Sequence, residues 1–374
     1  MAAENISLNP DSRDSPEITR AAKALSEGAL IVFPTETVYG LAASAAVDTG
    51  IQRLRDIKSG DSTRPFTVHL ARASDCEAYV PDISPMGRRF MDKAWPGPLT
   101  LIFNVEDPTS VPVYQRLSEP GAASIFAEKS VGLRFPDHPI AESLLKAAHV
   151  PIVATSANIS GGSAPVDADR IMDDLGDRVD FVLDAGPTRY RKSSTIVACN
   201  GDGYRLIRAG VWDDRTIRRL STLNILFVCT GNTCRSPIAE GQFKQMLAEK
   251  LGCVPEALPD KGILVQSAGS LGYSGSPVSR ESVEVCQKRG VDISDHTSQG
   301  LTVELIHSAD HIYAMATQHI DAIHTLVPTH RGKVVLLDSE GDVSDPIGGS
   351  LDEYERVAEQ IHKALEARIN EVAV

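Results

Sequence analysis

The chain has 374 residues, 42% of them hydrophobic, and carries 37 basic against 50 acidic side chains for a formal net charge of −13. That length supplies cores for two ordinary domains, and the acidic balance excludes a global basic field drawing the protein to nucleic acid or anionic lipid. Six scattered cysteines (Cys76, Cys199, Cys229, Cys234, Cys253, Cys286), a polar N-terminus and the lack of any apolar run of membrane-spanning length point to a reducing, cytoplasmic setting without membrane contact.

In chain order, Ile18, Ala21, Ala22 and Leu25 fall at helical spacing after Ser15-Pro16, and Gly28 supplies the stop. Ala29–Phe33 reads as a short strand running into Pro34-Thr35-Glu36-Thr37-Val38-Tyr39-Gly40-Leu41, a polar segment at a strand end, where α/β folds bind ligands. Ile51, Leu54 and Ile57 mark a second helix, followed by the polar loop Lys58–Arg64 and a strand over Phe66–Leu70. The spacing predicts further strands over Leu99–Phe103, Val131–Phe135 and Ile152–Thr155, with a helix from Pro139 before the last of these. Thr155–Gly162 is again polar and small at a strand end. Strands are expected at Phe181–Leu183, Thr195–Val197 and Tyr204–Ile207. Lys58, Arg64, Arg134 and Arg208 are cations available to a polyphosphate, although each arginine alone fits a solvated surface residue.

The segments PTETVYGL, WPGPLTLIF, GLRFPDHPIAESLL, TSANISGG and STIV followed by LIRAG stand in this order, and through them residues 14–213 resemble the YrdC family of threonylcarbamoyl-AMP synthases. The resemblance implies a twisted mixed-sheet α/β domain over residues 1–218. It also implies condensation of L-threonine, bicarbonate and ATP, with Mg²⁺ offsetting the phosphate charge, into threonylcarbamoyl-adenylate. The product would reach an adenosine of tRNA through a downstream transferase. Carried over by position, Thr35, His69, Arg134 and Ser194 are expected to contact threonine, and Lys58, Arg64, Ser156, Asn158 and Arg208 to hold ATP. One departure stands out: where the family carries Lys-x-Arg, the residue two after Lys58 is Gly60, which leaves Arg64 as the candidate for the missing charge. A module that binds nucleotide or RNA without catalysis, regulating its neighbour, is the alternative that Gly60 favours.

Gly210–Thr222, polar and charged, is the expected joint, with the second domain over residues 219–374. Ile225–Val228 reads as a buried strand, Thr230–Thr233 as a small-residue loop, and Pro237 as the first position of a helix. Cys229 and Arg235 bracket a loop whose N–H groups can turn inward at the positive end of that helix, a cradle for a phosphate dianion. A thiol so placed is expected to react as a thiolate. A lone cysteine is usually a packed core residue; Cys-x5-Arg-Ser between a strand and a helix points instead to a nucleophile. Beyond it, Ile263–Val265, Ile312–Met315 and Val334–Leu337 read as strands, Ser276–Arg289 as a helix stopped by Gly290, and Tyr354, Val357, Ile361, Leu365 and Ile369 as one face of a C-terminal helix. Strands alternating with helices imply a doubly wound parallel sheet.

VCTGNTCRSPIAE, VQSAGS, GVDISDHTSQGL and DPIGGS make residues 222–374 resemble the low-molecular-weight protein tyrosine phosphatases, which implies a flavodoxin-like phosphatase domain acting on a phosphorylated protein without metal or cofactor. In that family's terms Cys229 attacks phosphorus and Arg235 grips the equatorial oxygens. Ser236 donates to the sulfur, and Thr230, Gly231, Asn232, Thr233 and Cys234 complete the phosphate loop. Asp345 of DPIGGS is the expected general acid, with Asp342 as local competitor. Thr233 stands where tyrosine phosphatases carry a bulky aliphatic residue and protein arginine phosphatases carry threonine, which favours phosphoarginine over phosphotyrosine; Ile347, where an aromatic is usual, runs the other way. Arsenate reductase chemistry needs two further late cysteines, and none follows Cys286. Cys234 fits either a reversible disulfide with Cys229 or a loop-packing thiol. His296, His311 and His319 show no metal-ligand spacing and are expected to be structural or surface residues.

Overall fold

The computed structural model describes residues 2–13, 15–58, 64–159, 161–201, 203–328 and 333–372. Gly60 and Ser160 lie outside these, so the Gly60 departure has no structural account. The chain divides into Met1–Ser221 and Thr222–Val374. The division falls after Ser221, where sequence reading put it after residue 218. The reason is the helix Asp214–Ser221, whose Ile217 is fully buried in the first unit's core and whose Ser221 carbonyl accepts from Arg89 Nη1 at 2.7 Å.

The strands of the first unit are β1 (Glu4–Ser7), β2 (Ile31–Phe33), β3 (Gly40–Ser44), β4 (Thr67–His69), β5 (Leu99–Asn104), β6 (Ser130–Arg134), β7 (Ile152–Ser156), β8 (Phe181–Asp184), β9 (Thr195–Asn200) and β10 (Gly203–Arg208). They form one mixed sheet in the order β1-β8-β2-β3-β7-β4-β6-β5-β9-β10. The period-2 alternation of strands sorts the core into two layers. Ile31, Phe33 and Ala42 pack under the helices Pro16–Ser26 and Pro139–Ala148, while Val32, Leu41 and Ala43 face the cluster that holds Ile51, Leu54 and Phe90. The helix Pro16–Ser26 begins where expected because the Ser15 hydroxyl accepts the Ile18 N–H at 3.1 Å. It ends where Gly28 takes φ +102°.

The second unit has four described strands, β11 (Leu223–Cys229), β12 (Ile263–Gly269), β13 (His311–Ala314) and β14 (Lys333–Leu336), all parallel in the order β12-β11-β13-β14. Ile225 and Phe227 face the helices Arg235–Lys250, Arg280–Gln287 and Leu351–Arg368; Leu226 and Val228 face Val303–Ser308 and Thr317–Leu326. Both faces are therefore covered, as parallel sheets require.

The helix after the cysteine loop starts at Arg235, not Pro237. The helix expected over Ser276–Arg289 spans only Arg280–Gln287, because the preceding residues pair elsewhere. The Ser276 N–H donates to Ser298 Oγ at 3.0 Å, the Ser276 carbonyl accepts the Ser298 N–H at 2.9 Å, and Ser279 caps the shortened helix. No helix among the described residues is long and apolar enough to cross a membrane.

Two candidate active sites

The centre in the second unit lies at the carboxyl end of β11. That strand has β12 on one side and β13 on the other, so the winding reverses there and leaves a crevice. Cys229 is the last residue of β11 and is 3% exposed. Its Sγ accepts the Asn232 N–H at 3.2 Å and lies 3.0 Å from Ser236 Oγ. Asn232 Nδ2 donates to that same serine oxygen at 2.9 Å, which leaves the hydroxyl hydrogen for the sulfur.

Asn232 holds the loop from within. It is fully buried at φ +57°, a conformation that asparagine tolerates better than most side chains. Its Nδ2 also donates to Ser267 Oγ at 2.8 Å, its Oδ1 accepts the Gln299 N–H at 2.8 Å, and its carbonyl accepts from His296 Nε2 at 3.0 Å. Ser267 passes its own hydrogen to Glu240 at 2.6 Å. At the end of β12, a Cβ on Gly269 would stand 2.9 Å from the Thr230 carbonyl oxygen, so only glycine lets the loop lie this close to the sheet.

Arg235, 3% exposed, donates from Nη1 to the Val343 carbonyl at 3.0 Å and from Nη2 to Thr230 Oγ1 at 3.2 Å and to the Asp345 carboxylate. Asp345 is thus brought to the loop. Asp342 is engaged otherwise: its Oδ1 accepts the N–H and the hydroxyl of Thr317 at 2.8 and 2.9 Å, at the start of the helix Thr317–Leu326. Gly231 and Thr233 complete the loop, and the Thr233 hydroxyl makes a long 3.6 Å contact to Cys234 Sγ. Cys229 and Cys234 are both free thiols. Cys234 is buried 3.3 Å from the Tyr354 hydroxyl, which burial and this contact push up to about 12.

His296 and His319, expected to be structural or surface residues, are structural supports of the loop. Ser267 and Gln299 also hold it and were assigned no role in the sequence, because they lie far along the chain from it. His319 is 1% exposed with Nε2 3.0 Å from Thr230 Oγ1; burial, then the Arg235 charge, lower its imidazole to about 4.

In the first unit, registers place His69 beside Arg134 and Arg134 beside Thr100 on β4, β6 and β5, a row on one face of the sheet. Arg134 donates to Glu36 at 2.8 Å and to Thr37 Oγ1 at 2.7 Å, with Thr35 Oγ1 at 3.5 Å. Glu36, its side chain 1% exposed, also accepts the Asp137 N–H at 3.1 Å. Arg134 Nε is buried with no hydrogen-bond partner. His69 donates from Nδ1 to the Thr67 carbonyl at 3.2 Å; burial and the Arg134 charge lower it to about 3, so the ring is neutral. Ser194 Oγ lies 3.0 Å from Thr100 Oγ1, and Arg208 donates to the Ser194 carbonyl at 2.8 Å and to its hydroxyl at 3.3 Å. Burial and the Arg134 charge lower Arg208. Arg208, assigned above to ATP, is therefore hydrogen-bonded to Ser194 of the threonine set and lies within reach of the Arg134 charge.

Lys58, Ser156 and Asn158 form a second group. Lys58 Nζ donates to the Asn158 carbonyl at 2.5 Å and to its Oδ1 at 3.1 Å, Ser156 Oγ donates to the same Oδ1 at 2.5 Å, and Asn158 Nδ2 closes the turn on the Gly162 carbonyl at 2.7 Å. Burial lowers Lys58 to about 8. Arg64 is exposed just after residues 59–63. Glu36 was noted only within the polar segment Pro34–Leu41, without a role, and Thr100 was not singled out, since a mid-strand threonine carries no local signature.

Residues 23–210, half of the chain, match the Sua5/YciO/YrdC family model, described as telomere recombination, and residues 224–373 match that of the low molecular weight phosphotyrosine protein phosphatases. A stretch of 148 residues, 38% of this chain, is 37% identical to the protein-arginine-phosphatase of Bacillus subtilis (strain 168) and covers 92% of it. The chain belongs to both families. On the Sua5/YciO/YrdC side, 199 residues, 53% of this chain, are 35% identical to the threonylcarbamoyl-AMP synthase of the same organism; the chain spans 55% of that relative's length. The crystal structure of Pyrococcus abyssi Sua5 complexed with L-threonine aligns with a TM-score of 0.51 over 97% of this chain and 98% of that one, at 19% identity, a likeness of fold. The Glu36–Arg134–Arg208 centre thus lies in the Sua5/YciO/YrdC unit, and the Cys229 loop in the phosphatase unit.

Proposed function

We propose that the chain is a bifunctional enzyme. Its phosphatase unit hydrolyses phosphorylated proteins through a Cys229 phosphoenzyme. Its Sua5/YciO/YrdC unit condenses L-threonine, bicarbonate and ATP into threonylcarbamoyl-adenylate, releasing pyrophosphate, for later transfer to tRNA. The observation that carries the first half is the Cys229 sulfur receiving an amide N–H and facing a serine hydroxyl, with a buried arginine opening the next helix.

Cys229 attacks phosphorus in line. The S–P bond forms as the bond to the leaving group breaks, and Arg235 and the loop amides oppose the charge on the equatorial oxygens. Ser236 stabilises the sulfur, which eases its later departure. Asp345 protonates the leaving atom and then takes a proton from the water that cleaves the S–P bond. Phosphoarginine is the favoured substrate: Thr233 leaves space and a hydroxyl for a guanidinium, and the relative named a protein-arginine-phosphatase matches at 37% identity. Replacing Thr233 with Ile should cut phosphoarginine-peptide turnover by about tenfold and spare phosphotyrosine. Equal loss on both peptides ends the arginine proposal.

In the other unit, Arg134 and Arg208 present a surplus of positive charge, and the unpartnered Nε–H of Arg134 suits a carboxylate such as that of threonine. Glu36, the carboxylate that meets Arg134, is committed to that arginine and the Asp137 N–H. Mg²⁺ would therefore enter with the ATP phosphates, whose charge it offsets, and Lys58, Ser156 and Asn158 are the residues proposed to hold the nucleotide. Pyrophosphate release by the full chain should require both threonine and bicarbonate and be lost in Arg134→Ala. Release independent of threonine would favour the regulatory-module reading.

A further inference from the structure

The first turn of the helix Thr317–Leu326 is tied to both loops of the phosphate site. Asp342, in the segment leading to the acid, accepts twice from Thr317, and the Val343 N–H donates to the Met315 carbonyl at 2.7 Å just ahead of the helix. From the same turn His319 reaches Thr230 at 3.0 Å, and Thr230 is 3.2 Å from Arg235 Nη2. Resting on the phosphatase reading above, we propose that His319 is a positioning residue, holding the Thr230 hydroxyl so that its oxygen faces the Arg235 guanidinium.

The donor directions support this. A guanidinium N–H can only donate, so the Thr230 oxygen accepts from Arg235 and its own hydrogen needs an acceptor. His319 Nε2 is in place for it, and the imidazole is neutral because burial and the Arg235 charge lower it to about 4. His319 Nδ1 is buried with no partner, so the ring's described hydrogen bond is to Thr230 alone. A ring 1% exposed and polar at both nitrogens is a poor way to fill a core; its contribution is the acceptor it offers Thr230. With Val343 fixing Nη1 and Thr230 fixing Nη2, the guanidinium plane is set from two sides.

The experiment measures p-nitrophenyl phosphate hydrolysis and its inhibition by inorganic phosphate on the full chain, for wild type, His319→Ala, His319→Gln, Thr230→Val and the His319→Ala/Thr230→Val double variant. Losing the brace should lower kcat/KM about tenfold, chiefly through KM, with the phosphate inhibition constant rising in parallel. The double variant should be no worse than Thr230→Val, and His319→Gln, whose amide oxygen accepts, should stay near wild type. Additive losses, or a His319→Ala variant with wild-type KM, overturn the inference while leaving the phosphatase reading intact. A wild-type chain that neither turns over the ester nor binds phosphate overturns both. Should His319→Ala not fold, Thr230→Val must still show the KM rise and His319→Gln must keep the wild-type KM; failure of either overturns the proposal.

Discussion

Arg235 and Asp345 form an ion pair at the Cys229 loop, the arginine side chain 4% exposed and the aspartate 40%. In the mechanism proposed above, a phosphoryl group takes the guanidinium edge that this carboxylate now occupies. On that proposal substrate binding displaces Asp345 and frees it to protonate the leaving atom.

Asp345→Asn accordingly has two opposite effects. Turnover of a phosphate ester falls by about 10²–10⁴ with loss of the general acid, while inorganic phosphate binds more tightly because the competing charge is gone. Steady-state kinetics with phosphate as inhibitor reads both. A variant that binds phosphate less well contradicts the displacement.

In the first unit the Glu36–Arg134 pair is buried, at 1% and 7% side-chain exposure. Glu36→Gln leaves an uncompensated buried guanidinium, at a cost of about 3–5 kcal/mol. Chemical denaturation followed by a probe in that unit should show the loss; a shift under about 1 kcal/mol would mean water already reaches the pair.

His69 sets a pH dependence whose sign follows from linkage. Its folded-state value is lowered from 6.5 to about 3 by burial and Arg134, so between those values the unfolded chain binds a proton that the folded chain refuses. Its contribution is whole above about pH 6.5 and declines as pH falls toward 3, by about 1.4 kcal/mol per pH unit within that window. Between pH 6.5 and pH 5 the first unit should lose about 2 kcal/mol through this residue. His69→Gln should flatten that part of the profile, and an unchanged slope would place the effect elsewhere.

Gly269→Ala tests the floor under the phosphate loop. With the new Cβ 2.9 Å from the Thr230 carbonyl oxygen, the second unit should be destabilised by about 1–3 kcal/mol. Phosphate affinity should fall with it, read by phosphate-induced thermal stabilisation. Retained affinity would mean the loop does not depend on that close approach.

Much of this was legible in the sequence where the signal is local. The Cys229–Ser236 segment declared its loop because the residue types that cradle a phosphate are contiguous, and Ser15-Pro16 and Gly28 punctuated their helix. Strand β1 was hidden because it buries only Ile6 in a polar stretch, and β3 because Gly40-Leu41-Ala42-Ala43-Ser44 is buried on both faces and shows no alternation. The start of the helix at Arg235 was misread from Pro237, since proline is tolerated anywhere in a first turn. The contacts of Glu36 with Arg134, of Asn232 with Ser267 and Gln299, and of His319 with Thr230 became visible only when the fold brought together residues that no spacing rule connects.

The claim on which the phosphatase reading turns is that sulfur, not water, first takes the phosphoryl group. The full chain carrying Asp345→Asn, mixed with p-nitrophenyl phosphate, quenched in acid and mapped by peptide mass spectrometry, should carry phosphate on Cys229 and lose it when Cys229 is replaced by Ala. Turnover with no phosphate ever found on that sulfur, or turnover that survives Cys229→Ala, contradicts it.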